Sequence, residues 1–195
     1  MRPRKAGTAP RGRRGLTLPE VLVTLAIISV LAAVMIPALT GQLAKGDAGR
    51  VAEDLKAIQT GMGAFVADVR VYPRTVNQLT RQITNDASFP RLGGRLSPTG
   101  AYLPAQLPRW RGPYMVKSIA ATQTSVITGF DALIDGTFSS STTTDLVTPY
   151  VAISVTGLDQ TQLDRVDLII DDGVSTTGLF RTESGNGAFY ALPIQ

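Results

Sequence analysis

The sequence predicts an α+β chain: a long N-terminal helix, half membrane-length segment and half amphipathic stem, followed by a small β-rich head. Three observations predict it. A 19-residue stretch without a charge, Val21 to Leu39, follows a strongly basic start. Beyond it an apolar stripe at helical spacing continues to Val69. From residue 71 the composition shifts to Pro, Gly, Thr and Ser, with short β-prone runs between them.

With 195 residues the chain suffices for one domain with a real core. Hydrophobic residues at 44% against 17% charged set it apart from disordered sequences. It contains neither cysteine nor histidine. That excludes disulfides, thiol nucleophiles, thiolate metal sites and any Ser-His-Asp triad. Carboxylate chemistry remains open, but adjacent acids such as Asp171-Asp172 seldom converge on one substrate, so no enzyme is expected. Of 19 Lys and Arg residues, six (Arg2, Arg4, Lys5, Arg11, Arg13, Arg14) fall in the first 15 positions. The other 13 face 15 Asp and Glu, a net charge of −2 for the remainder. The basic character therefore belongs to the leader, and no nucleic-acid footprint is expected.

Residues 1–15 read as a cytoplasmic leader, because Lys and Arg before an apolar run stay on the cytoplasmic side. Residues 16–39 read as the membrane segment. As a helix, Val21 to Leu39 would be about 28 Å long, close to the hydrocarbon thickness of a bilayer. A secretory signal has a shorter apolar core with its small-residue site after it, whereas here Gly15 comes before. Glu20 stands at the edge of this segment among Leu16, Leu18 and Val21. Either it lies at headgroup level as a helix N-terminal carboxylate, or it is functional with a partner.

Residues 40–70 read as the stem. Val51, Leu55, Ile58, Met62, Phe65, Val66 and Val69 recur at spacings of 4, 3, 4, 3, 1 and 3, as for a helix lying on its own domain's core. Gly41, Gly46 and Gly49 make 40–49 the expected hinge, and Val71-Tyr72-Pro73 the expected helix end. Residues 71–195 read as the head. Residues 84–113 are expected to form a long irregular loop, and Trp110 and Tyr114 to be core aromatics. Strands are expected at Tyr114–Ile119, Thr124–Thr128, Tyr150–Thr156, Leu179–Thr182 and Ala188–Leu192. Ser139–Thr144 reads as an exposed polar turn. A short helix between Asp159 and Ile170 is expected, capped by Asp159 with Gln162 three positions on.

The run Gly15-Leu16-Thr17-Leu18-Pro19-Glu20, after a basic leader and before an apolar helix, resembles the prepilin cleavage and methylation signature. Type IV pilins, type II secretion pseudopilins and competence pseudopilins carry that signature. Leu16 stands in place of the usual phenylalanine and Pro19 in place of a common aliphatic. The resemblance implies the pilin fold, with the stem packed on a small antiparallel sheet. It implies cleavage after Gly15 by a prepilin peptidase and N-methylation of Leu16. Glu20 becomes the assembly residue, pairing with the new amine of a neighbouring subunit. A proline late in the membrane segment is a habit of these families, so Pro37 is the expected helix break within a filament. Tyr72-Pro73, Leu79 and Trp110-Arg111-Gly112-Pro113-Tyr114 look like the loop of type II secretion major (G-type) pseudopilins. The stretch Leu163 to Arg181 is similar to a segment near the C-terminus of many pilin-like proteins.

The implied function is a structural subunit of a type II secretion pseudopilus. A type IV pilus major or minor pilin is the alternative, and a signal-anchored periplasmic binding protein a third. The implied partners are prepilin peptidase, like and related subunits, an inner-membrane assembly platform and the lipid bilayer. The implied location is the bacterial inner membrane, N-terminus cytoplasmic and head periplasmic, then the filament. No cofactor is required. Some major pseudopilins hold a C-terminal calcium, which makes Asp167, Asp171 and Asp172, with Asp131 and Asp135, candidate oxygen ligands. The chain lacks a spaced acidic loop of the EF-hand type, so a solvated acidic turn is the preferred reading over calcium.

Overall fold

The computed structural model describes residues 15–87, 90–93, 100–116, 125–142, 148–183 and 185–194. Helix α1 runs from Leu18 to Val69 without interruption. Contacts divide the chain into two compact units between Gln42 and Leu43, inside this helix and inside the 40–49 segment. The helix stops slightly before the expected Val71-Tyr72-Pro73, because Arg70 takes a left-handed φ of 66° while its N–H still bonds to Val66 O at 3.0 Å.

In the second unit the periodic stripe becomes the core. Val51, Leu55, Ile58, Met62, Phe65 and Val69 are almost wholly buried, and Val66 is half-buried beside them. They pack with Val151, Ile153 and Val155, and with Phe180, Phe189, Leu163 and Val166. Polar ties fix the register of the stem: Gln59 Nε2 donates to Ala191 O at 2.7 Å, and the Tyr72 hydroxyl to Pro193 O at 2.8 Å. Gly61, a residue type that weakens a helix, has a packing purpose here. A Cβ there would lie 2.8 Å from Met115 Cγ and 3.0 Å from Tyr114 O. The bare backbone lets the loop reach the stem.

The head continues with α2 (Asn77–Thr80), β1 (Ser125–Ile127), β2 (Leu133–Asp135), β3 (Ser139–Ser141) and β4 (Tyr150–Thr156). It ends with α3 (Gln160–Ile170), β5 (Phe180–Glu183) and β6 (Asn186–Pro193). The sheet order is β1-β2-β4-β6-β5, with β3 also paired to β4, and every pairing is antiparallel. α3 begins as expected: Asp159 Oδ1 accepts Gln162 N at 2.8 Å, and Asp159 N donates back to Gln162 Oε1 at 2.8 Å.

Two expectations are corrected. Residues 114–116 form no strand, since Tyr114 is held as an anchor by its backbone N–H bond to Leu79 O; residues 117–119 lie outside the described residues. Ser139–Ser141 is no turn: it pairs with Ala152, Val151 and Tyr150 as β3, while 143 and 144 lie outside the described residues. β2 was not anticipated at all. In the 84–113 stretch the chain makes isolated bridges, Tyr72 with Leu92 and Arg91 with Gly100, and a 3-10 turn at Leu107–Arg109.

Candidate functional site

The N-terminal segment is built from its cap. Gly15, Leu16 and Thr17 are non-helical and exposed, and α1 begins at Leu18. Thr17 O accepts Glu20 N at 3.1 Å and Val21 N at 3.2 Å, opening the helix. Glu20 Oε2 reaches back to Thr17 N at 3.4 Å, the return half of a Thr-x-x-Glu capping box. Pro19 sits in the first turn, where no helical partner exists for the N–H it lacks. The Gly15–Leu16 peptide therefore lies just ahead of the helix, in the open backbone a peptidase needs. The Glu20 carboxylate is folded toward that end.

From here the apolar side chains have no protein core. Leu16, Leu18, Val21, Leu25, Ile28, Val34 and Leu39 are all exposed, and α1 holds an 18-residue window of mean hydropathy 2.7 with none of it buried. α1 is long and apolar enough to cross a membrane. Its hydroxyls turn inward on the backbone: Thr24 to Val21 O, Ser29 to Leu25 O and Thr40 to Pro37 O, at 2.8, 2.8 and 2.9 Å. This removes free donors from an apolar surface. α1 is continuous through Pro37. The expected break at Pro37 is therefore not present in this helix, although the proline still deprives Ala33 O of its helical donor.

The acidic cluster lies at the C-terminal end of α3. Asp167 is 1% exposed, and no N–H or hydroxyl donor reaches its carboxylate oxygens, which leaves Asp171 as the group with which its own acid proton can bond. Asp171 closes the following loop, accepting Asp172 N at 2.9 Å on one oxygen and the N–H groups of Leu179 and Phe180 on the other. Asp172 accepts Val174 N at 2.9 Å and the Thr177 hydroxyl at 3.3 Å. The three carboxylates offer oxygens within 4.8 Å of one another. Asp131 and Asp135 are not part of this group; Asp135 Oδ1 instead accepts Thr137 N at 2.8 Å.

Burial pushes the Asp167 carboxyl up from 3.8 to about 7, and the neighbouring Asp171 adds to the rise. Burial also pulls on Asp171, but Asp167 and the N–H groups of Phe180, Asp172 and Leu179 together hold its carboxyl below the ordinary value. A buried carboxylate without a donor, beside two more, fits a hard cation that takes oxygen ligands. The prediction is a paired one. Without cation, Asp167 keeps its proton in the fold at pH values where the unfolded chain has lost it. Its contribution to stability is thus full below pH 3.8 and falls as pH rises through about 7. Calcium titration at pH 7.5 should raise the thermal midpoint and flatten that slope. An unchanged midpoint leaves a solvated acidic turn.

Residues 10–36 match the prokaryotic N-terminal methylation motif. A type II secretion system core protein G from Klebsiella michiganensis is 31% identical over 110 residues, 55% of this chain and 75% of that protein. One from Klebsiella pneumoniae is 32% identical over 108 residues, 54% of this chain and 75% of that protein. The chain belongs to the type II secretion system core protein G family. Another core protein G, from Escherichia coli, is 28% identical over 104 residues, 53% of this chain and 71% of that protein. No solved structure shows a significant match.

In this core protein G family member the Trp110–Tyr114 segment is structural, as expected for core aromatics. Tyr114 packs edge-on against Phe65 at 5.6 Å and Trp110 at 5.7 Å, and its hydroxyl donates to Asp68 Oδ2 at 3.0 Å. Sequence reasoning missed Gln78, the buried hub of this loop. Its Oε1 accepts Arg74 N at 2.7 Å and the Tyr102 hydroxyl at 2.9 Å, and its Nε2 donates to Pro90 O at 3.0 Å. Arg181 was missed as well: its Nε and Nη1 donate to Gly178 O and Thr176 O, and it lies 5.5 Å over the Tyr190 ring. Asp167 had a readable signal. It is four residues after Leu163 and next to Val166, on the face that α3 buries.

Proposed function

We propose that the chain is a non-catalytic structural subunit of a type II secretion pseudopilus, assembled from the bacterial inner membrane after leader removal. One observation carries the reading. An exposed Gly15–Leu16 bond, with Glu20 folded toward it, opens a helix whose first half is apolar and has no core of its own. Such a surface needs lipid before assembly and other subunits after it.

The chemistry follows from those residues. Hydrolysis between Gly15 C and Leu16 N leaves a carboxylate on Gly15 and an α-ammonium on Leu16; methyl transfer from a sulfonium donor, which departs as a thioether while the amine gives up one proton, leaves a secondary ammonium of the same charge. Among Leu16, Leu18 and Val21 the charge requires a counter-ion, and Glu20 is the adjacent carboxylate. Pairing Glu20 with the amine of a neighbouring subunit fixes axial register, a geometric role that buried pairs serve even where their net stabilisation is small. Prepilin peptidase, an inner-membrane assembly platform and the bilayer are the partners this scheme requires. The head then stands in the periplasm, and calcium at Asp167, Asp171 and Asp172 is its proposed ligand.

The test is assembly. In cells carrying a type II secretion apparatus and peptidase, sheared surface filaments should contain this chain lacking residues 1–15. A processed chain found only as monomer in the inner membrane would reject the reading.

A further inference from the structure

Lys45 is the first charged residue after Glu20, and no charge stands between them. A cation at that place marks the level where a spanning chain reaches the lipid phosphates, because its stem stays apolar while its head seeks water. Asp47 and Arg50 follow it. Leu43, one turn before Asp47 and on the same face of the helix, is still 60% exposed.

The head is pinned to the stem at this same level. β1 and β2 form a hairpin whose turn, Gly129–Asp131, abuts the helix: a Cβ on Gly129 would overlap Asp47 O. Only glycine permits that approach. Phe130 and Asp131 then adopt left-handed backbone, with φ of 60° and 55°, and Phe130 packs against the core. The turn thus sits two residues from Lys45, about 3 Å along the axis at roughly 1.5 Å per residue. Beside the turn, Ile127 and Leu133 stand opposite each other across the hairpin. They are 57% and 40% exposed, whereas Val126 and Ile134 point the other way and are buried. Cross-strand partners share a face, so Ile127 and Leu133 make one apolar spot at the base of the head.

We propose that Ile127 and Leu133, with Leu43, dock this base on the phospholipid headgroup layer before assembly. Lipid is the occupant because the spot continues a surface that already needs it: Leu43 lies four residues beyond Leu39, on the same helical face, and both are exposed. A headgroup layer about 5–7 Å thick spans the residues from Leu43 to Asp47, about 6 Å of helix. At this level Lys45 and Arg50 balance Asp47 and Asp131, two cations against two acids. The surface therefore suits zwitterionic headgroups, and apolar burial carries the contact. It gives the head one orientation over the bilayer instead of leaving it on a bare tether. The contact rests on the membrane stage of the function proposed above.

The experiment places the full-length chain in phosphatidylcholine vesicles, some of whose lipids carry a fluorescence quencher on the headgroup. The chain contains no cysteine, so a single introduced one takes an environment-sensitive label without ambiguity. Labels on Ile127→Cys and on Leu133→Cys should each lose roughly half or more of their emission. A label on Ser140→Cys should lose almost none. Ser140 pairs with Val151, about 17 Å along β4 from the Thr156 that faces Leu133, at roughly 3.4 Å per residue. Ile127→Asp in the Leu133→Cys chain should restore the emission, with head melting unchanged. Labels at 127 and 133 no more quenched than at 140, quenching that survives Ile127→Asp, or quenching that requires added anionic lipid would each overturn the contact. A label on Ile28→Cys, read with an acyl-chain quencher, separates the two claims. Quenched, it upholds the membrane reading whatever the head does; unquenched, it overturns both.

Discussion

Glu20→Gln should be cleaved after Gly15 as efficiently as the native chain and yet yield almost no filament. The amide preserves size and the reach back to Thr17 N, which Glu20 now makes at 3.4 Å. It removes the only thing the reading requires, a negative charge beside the new amine. An α-ammonium ordinarily has a pKa of about 7.7–8.0, so it is charged when it enters the apolar layer. Removing one member of a buried ion pair costs about 3–5 kcal/mol, because the other charge stays behind uncompensated. At about 1.4 kcal/mol per factor of ten, that is a loss of two orders of magnitude or more at each contact. Sheared-filament yield, normalised to processed chain in the membrane, measures it. Native yield from Glu20→Gln would reduce Glu20 to a helix cap and favour a plain membrane anchor.

The largest effect on folding is expected at Phe65. Its side chain is wholly buried, with Tyr102 edge-on at 6.3 Å and Tyr114 at 5.6 Å. It thus joins the stem to both parts of the loop that follows. Phe65→Ala should cost about 3–5 kcal/mol, from lost transfer energy and an unfilled cavity that the T-shaped pairs are too rigid to close. Chemical denaturation of the full-length chain in mild detergent, followed by Trp110 fluorescence, reads the midpoint. Trp110 is a suitable reporter, since it contacts Tyr114 and donates to Gln78 O at 3.0 Å. A loss below about 1 kcal/mol would mean that the loop does not depend on the stem.

What the sequence made legible was periodic or local. The apolar stripe required only a 3.6-residue repeat, and Val51 to Val69 are buried where that repeat places them. β4 was readable because Tyr150–Thr156 is one β-branched and aromatic run, and it occupies the centre of the sheet. The capping box of α3 was readable because both partners are three residues apart.

What escaped was set by distant partners. Ser139–Ser141 has the composition of a turn, and only the main chain of β4 makes it a strand. β2 has three residues, too few to show alternation. Gln78 looks like any surface glutamine until Tyr102, 24 residues away, places a hydroxyl on it. The candidate sites divide the same way. Gly15, Leu16 and Glu20 form a contiguous motif, so the sequence displayed them whole. Asp171 is different: the N–H groups of Leu179 and Phe180 that its carboxylate accepts lie eight and nine residues on, and no local pattern announces them.

The most direct measurement is the intact mass and N-terminal sequence of the full-length chain, produced with and without a prepilin peptidase. With the enzyme the chain should begin at Leu16 and carry one added methyl group; without it, residues 1–15 should remain. A chain unprocessed in both cases, or cut beyond Leu39, would contradict the pseudopilin account.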